Sequence, residues 1–123
     1  MTSCKFCNVE ESNVIKESDY SCAFYDKYPV NNGHVLVIPK RHIENYFDLT
    51  RQEKDDLWKL VEKIKIIIDQ KFKPDGYNVG INIGETAGQT IFHCHIHIIP
   101  RYKGDIKDPE GGIRGVIPSK QKY

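Results

Sequence analysis

The chain lacks any apolar run approaching the length of a membrane helix, so no membrane partner is expected. Its first residues, Met1-Thr2-Ser3-Cys4-Lys5, lack the apolar core of a secretory signal. A cytoplasmic setting follows as the expectation, and there thiols stay reduced. An excess of charge of one sign is also missing: 18 Lys and Arg stand against 17 Asp and Glu, for a formal net charge of +1. That balance argues against a general nucleic-acid binder, which needs a strong basic excess, while leaving room for a local cationic pocket. No Gly-Lys-Ser/Thr sequence is present, so a P-loop is excluded. Internal repeats and low-complexity linkers are absent, and the 123 residues suffice for one domain with a real core. Cysteine is scarce: of four, only Cys4 and Cys7 fall in a Cys-x-x-Cys pair, and no second such pair completes a four-cysteine metal site.

What the chain does have is a concentration of imidazole. Three of its five histidines, His93, His95 and His97, alternate within the apolar run Ile91 to Pro100. Alternate residues of a strand share one face. A strand here sets the three imidazoles in single file, with Cys94, Ile96 and Ile98 turned to a core. Imidazole titrates near neutrality, is a good nucleophile and is a common metal ligand. An ordinary half-buried strand carries Thr, Lys or Glu on its wet face, so three chance histidines are the weaker explanation.

The surrounding pattern is α+β. Ser21-Cys22-Ala23-Phe24-Tyr25 is a short strand, the segment from Asp26 to Gly33 is turn-rich, and His34 to Ile38 is a buried strand stopped by Pro39. Thr50 with Glu53 forms a capping box. Leu57, Leu60, Val61, Ile64, Ile67, Ile68 and Phe72 then recur at helical spacing until Pro74-Asp75-Gly76. Tyr77 to Ile83 is a further strand, Gly84 to Thr90 a loop, and the histidine run follows. The order β-β-α-β-β places one long helix on a mostly antiparallel sheet. The whole of 1–123 is one domain, with residues 1–21 forming an N-terminal hook segment and 101–123 an irregular tail.

Two constellations carry chemistry. Cys4 and Cys7 have the spacing of a zinc half-site, whose missing ligands must be histidines; His42 and one member of the triplet are the candidates. The alternative is two unliganded surface thiols. The second constellation is the histidine run beneath the Gly84–Thr90 loop. There Gly84 and Gly88 let backbone N–H groups approach a ligand, and Gln89 and Thr90 add neutral donors, an arrangement suited to an anion. A phosphate held there lies near His95, which points to substitution at phosphorus through a phosphohistidine-type intermediate. Same-face neighbours on a strand are about 6.6 Å apart, so the outer triplet members, about 13 Å apart, cannot share one zinc. Assigning His93 to a metal and His95 to chemistry satisfies that geometry.

The run Gly88-Gln89-Thr90-Ile91-Phe92-His93-Cys94-His95-Ile96-His97-Ile98-Ile99-Pro100-Arg101 resembles the signature of the histidine triad (HIT) superfamily of nucleotide hydrolases and transferases, and Asn32 to His42 resembles its second motif. The resemblance spans roughly Cys4 to Asp105. It implies a HIT-like fold, with a five-stranded sheet, one long and one short helix, and sheets joined across a homodimer. It further implies that His95 is the nucleophile that becomes transiently nucleotidylated, supported by His34 and His97. By the same resemblance Asp26 holds the ribose hydroxyls, and Asn82, Gly88, Gln89 and Thr90 bind the α-phosphate and leaving group. A structural zinc is implied on Cys4, Cys7, His42 and His93. The tail motifs, Pro100 to Asp105 and Gly111-Gly112-Ile113-Arg114, resemble hydrolases of diadenosine tri- or tetraphosphate, and Arg101, Lys103 and Arg114 are candidates to counter a long polyphosphate or simply solubilising charges. Asn82 instead matches the nucleoside phosphoramidase type. A nucleotide-binding interaction module with incidental catalysis is the reading from a different class.

Overall fold

The computed structural model describes residues 3–123. Five strands, β1 (Val14–Glu17), β2 (Ser21–Tyr25), β3 (Val35–Pro39), β4 (Gly76–Ile81) and β5 (Ile96–Arg101), form one antiparallel sheet in the order β1-β2-β3-β5-β4. One long helix, α1 (Arg51–Phe72), lies across it. It starts where the sequence says: the Thr50 side chain accepts from the Glu53 amide, and Glu53 reaches back to the Thr50 amide. Lys73, in the left-handed region at φ 52°, ends it before Pro74. None of the described helices is long and apolar enough to cross a membrane.

The two faces of the sheet are covered by different things. One packs Ala23, Val35, Val37, Cys94, Ile96 and Ile98 against Leu57, Leu60, Val61, Ile64 and Ile68 of α1. Each fully buried Val, Leu or Ile side chain among these contributes about 1.5–3 kcal/mol relative to exposure. The other face presents Cys22, Phe24, Leu36 and Ile38, capped by Phe6, Val9 and Val14 of the N-terminal segment. β2 and β3 are therefore buried on both sides, which is why they are continuous apolar runs.

Three expectations change. Residues 14–17, read as part of the N-terminal hook segment, form edge strand β1; only Val14 and Ile15 are apolar there, and the register with β2 shifts between Val14 and Lys16. No second α-helix occurs among the described residues, and short segments such as Lys5–Asn8 and Gly112–Val116 are 3-10 turns. The histidine strand is shorter than its sequence: β5 begins at Ile96, so only His97 of the triplet is in the ladder. Upstream, the Cys94 amide donates to the Ile43 carbonyl at 2.7 Å and the His93 ring engages the Pro39 carbonyl. Both interactions draw the chain off the ladder, whose pairing with β3 ends at Val37 and Ile96.

Candidate active site

The triplet divides. His93 is fully buried, and its Nε2 lies 2.7 Å from the Pro39 carbonyl oxygen. A carbonyl only accepts, so Nε2 carries the proton and the Nδ1 lone pair faces the other way. There it meets Cys4 Sγ at 3.6 Å and Cys7 Sγ at 3.5 Å, and Cys7 Sγ lies 3.2 Å from His42 Nδ1. The four ligand atoms all fall within 4.8 Å of one another. For zinc bonded at about 2.0–2.1 Å to nitrogen and 2.3 Å to sulfur, a tetrahedron has nitrogen–sulfur edges of about 3.6 Å. The four residues thus fit such an ion, with the Pro39 carbonyl in the role that usually orients a metal-bound imidazole. His42 is brought there by the turn after β3, and its neighbour Arg41 makes a two-pronged contact with Glu53, at 2.9 and 2.8 Å.

His95 is held the opposite way round. Its Nδ1 lies 2.8 Å from the His93 carbonyl oxygen and must donate to it, leaving Nε2 with a free lone pair. That nitrogen belongs to a residue lining a cavity of about 680 Å³, which His97, Asp26, Asn82, Gly88 and Thr90 also line. Burial holds His95 below imidazole's ordinary range, so the ring is neutral near neutral pH. Phe6 meets the His95 ring edge-on at 5.0 Å between centroids.

A third imidazole chain orients His97. The Val30 amide donates to His34 Nδ1 at 3.0 Å, which puts the His34 proton on Nε2. That nitrogen is 3.0 Å from His97 Nδ1 and 3.4 Å from an Asp26 carboxylate oxygen. His97 Nδ1 then accepts, and its Nε2–H is left to donate. Burial, reinforced by His95 and His34, lowers the His97 pKa to about 4, and burial also lowers that of His34. All three rings are neutral, each with a tautomer fixed by its partner. His34 itself is buried behind His97 and does not line the cavity.

The loop over the cavity departs from the expected amide cradle. The N–H groups of Gly84, Gly88 and Gln89 are all bonded within the loop, to Gln89 Oε1, the Glu85 carbonyl and the Gly84 carbonyl. What faces the cavity is Gly88, in the left-handed region at φ 96° with open space where a Cβ would stand, and Thr90. Gln89 is buried rather than cavity-facing. The tail cations are elsewhere: Arg101 pairs with Asp105 and Asn78, and Arg114 donates to the Gln121 carbonyl and lies over Tyr123. Neither these two nor Lys103 lines the cavity. Sequence reasoning missed Phe6 and the Val30 amide. For Phe6 a signal existed, an aromatic residue between the two cysteines of the Cys-x-x-Cys pair; for the amide, none did.

The HIT domain pattern matches residues 8–104. The chain belongs to the HIT family. Among curated HIT relatives, the bis(5'-nucleosyl)-tetraphosphatase (asymmetrical) of Schizosaccharomyces pombe is 42% identical over 97 residues, covering 79% of this chain and 53% of that protein. The bis(5'-adenosyl)-triphosphatase of Dictyostelium discoideum is 40% identical over 100 residues, covering 81% and 67%. A HIT family crystal structure from Bacillus subtilis superposes with a TM-score of 0.78 at 41% identity, covering 85% of this chain and 77% of that one. The five-stranded antiparallel sheet with one long helix is therefore the HIT-like fold.

Proposed function

We propose that this HIT protein is a nucleotide hydrolase that cleaves adenosine dinucleoside polyphosphates at the α-phosphate through a covalent nucleotidyl-histidine on His95. The observation that carries the reading is the bond from His95 Nδ1 to the His93 carbonyl. It leaves a neutral ring whose unprotonated Nε2 is available to attack. Nε2 bonds to the α-phosphorus as the phosphorus–oxygen bond to the remaining polyphosphate breaks. Water then attacks the same phosphorus, the phosphorus–nitrogen bond breaks, and a nucleoside monophosphate leaves as His95 regains its neutral form. His97 Nε2–H donates to the phosphate oxygens and is kept in that tautomer by His34 and Val30. Asp26 accepts from the ribose hydroxyls, and Gly88, Thr90 and Asn82 flank the phosphate and leaving group. The names of the tetraphosphatase and triphosphatase relatives support this substrate class.

Cys4, Cys7, His42 and His93 hold one structural zinc per chain, whose closed donor set fastens the N-terminal segment and leaves no ligand position for substrate. The absence of a disulfide among the described cysteines suits a reducing, cytoplasmic compartment. β4 lies at the outer edge of the sheet, so a homodimer joining two sheets through that edge is part of the same reading. The partners are nucleotides, with neither nucleic acid nor membrane involved. Asn82 on the cavity wall favours a second reading, nucleoside phosphoramidase activity through the same His95.

Chromatography after incubation with diadenosine tetraphosphate tests the proposal. The expected result is AMP plus ATP, absent with His95→Ala. An intact dinucleotide beside a hydrolysed adenosine phosphoramidate transfers the assignment to the second reading. If neither is cleaved, the protein is a binding module.

A further inference from the structure

We propose that Gln89 is a positioning residue: its side chain closes the Gly84–Thr90 loop and ties it to the segment that carries His42, so that Gly88 and Thr90 face His95. This rests on the nucleotide reading of the cavity. Gln89 is 3% exposed, and its amide oxygen and both of its N–H donors are engaged. Oε1 accepts from the Gly84 amide at 2.9 Å, while Nε2 donates to the Glu44 carbonyl at 3.1 Å and to the Ile91 carbonyl at 3.3 Å. A primary amide has two N–H donors, and both are taken, so none is left for a phosphate. The main chain repeats the closure, because the Gln89 amide donates to the Gly84 carbonyl at 3.1 Å. Residues 84 and 89 are thus joined by two reciprocal bonds.

The loop needs such a closure. Gly84 and Gly88 sit at φ 91° and 96°, and glycine loses more conformational freedom on ordering than any other residue. A loop hinged on two glycines, left open, must be ordered at the moment a phosphate binds. The clasp does that ordering beforehand. It also spans three parts of the molecule: the loop, the cavity-lining Ile91, and Glu44, two residues beyond His42. Glutamine is specified by chemistry here, since one planar end must both donate twice and accept, and asparagine is a methylene too short for the same reach.

The test compares full-length protein with Gln89→Met, which keeps the length and loses both donors and the acceptor. The expected result is a fall of about tenfold or more in kcat/KM for diadenosine tetraphosphate, in protein that remains folded at the assay temperature. An unchanged kcat/KM overturns the proposal, even if the melting temperature falls, because a merely structural bond affects only the latter. Amide exchange of the wild type tests the clasp without any variant or turnover. The Gly84 amide is expected to exchange about a hundredfold slower than an open loop amide, and exchange at the open rate overturns the proposal. Failure of the wild type to cleave any nucleotide instead defeats the functional reading and leaves the exchange result to decide on the clasp.

Discussion

His93 and His95 are two residues apart, both buried, and differ in which ring nitrogen is held. His93 gives its Nε2–H to Pro39 and turns Nδ1 toward two thiols; His95 gives its Nδ1–H to a backbone carbonyl and turns Nε2 to a cavity. The contrast shows that an imidazole's job is set less by its own chemistry than by the acceptor behind it. One cluster gathers two sulfurs and two imidazoles around one point, whereas the other lines an open cavity with Asp26 and His97. Neither arrangement is visible in the alternation of the triplet, and both follow from the chain leaving the ladder before Ile96.

The comparison breaks most sharply at His95. His95→Ala removes the covalent route, and turnover is expected to fall by on the order of 10³ or more with the fold intact by circular dichroism. Full activity in the folded variant defeats the nucleophile assignment. Next in size is the Cys4→Ser/Cys7→Ser double variant, expected to lose about one zinc per chain by elemental analysis and to melt at a lower temperature. Zinc-free wild type made with zinc available defeats the closed-site half of the contrast.

A smaller effect attaches to Glu53, which anchors Arg41 beside His42. The Arg41 guanidinium holds the Glu53 carboxyl well below its ordinary 4.5, at about 2. A carboxyl depressed on folding stabilises the protein above its unfolded pKa, and that contribution is lost as pH falls from about 4.5 toward 2. Acid-unfolding curves of Glu53→Gln should lose this part of the pH dependence while keeping the rest. Smallest is the tail: Lys103→Ala and Arg114→Ala, outside the cavity, are expected to change kcat/KM less than about twofold. A tenfold loss would show that the tail reaches the polyphosphate.

Sequence alone made much of this legible. The Thr50–Glu53 box, the α1 stripe and the runs of β2 and β3 are local signals, and they fixed most of the architecture. Spacing alone gives Cys4 and Cys7 with His42 and one member of the triplet as candidates, and the family resemblance names that member as His93; the structure brings these four together. β1 was missed because two apolar residues at a sheet edge make too weak a pattern. The amide cradle differs for another reason: the Gly84 N–H is taken by a side chain five residues away, Gln89, and the Gly88 and Gln89 N–H groups by carbonyls of the loop itself, and no spacing rule shows that. The tail arginines were equally opaque, since their partners, Asp105 and the Gln121 carbonyl, are set by how the tail folds back.

The N-terminal hook has a consequence for biosynthesis. Cys4 and Cys7 are separated from His93 by 89 and 86 residues, yet all three meet around one point. During translation the two thiols emerge long before His93 does, so the four-residue cluster cannot close while the chain is short. A zinc held by all four residues, as proposed, would therefore have its full set of ligands only once His93 has been made. Phe6, carried between the two cysteines, likewise meets the His95 ring only after residue 95 has been made, so this wall of the cavity joins the first-made part of the chain to a late one.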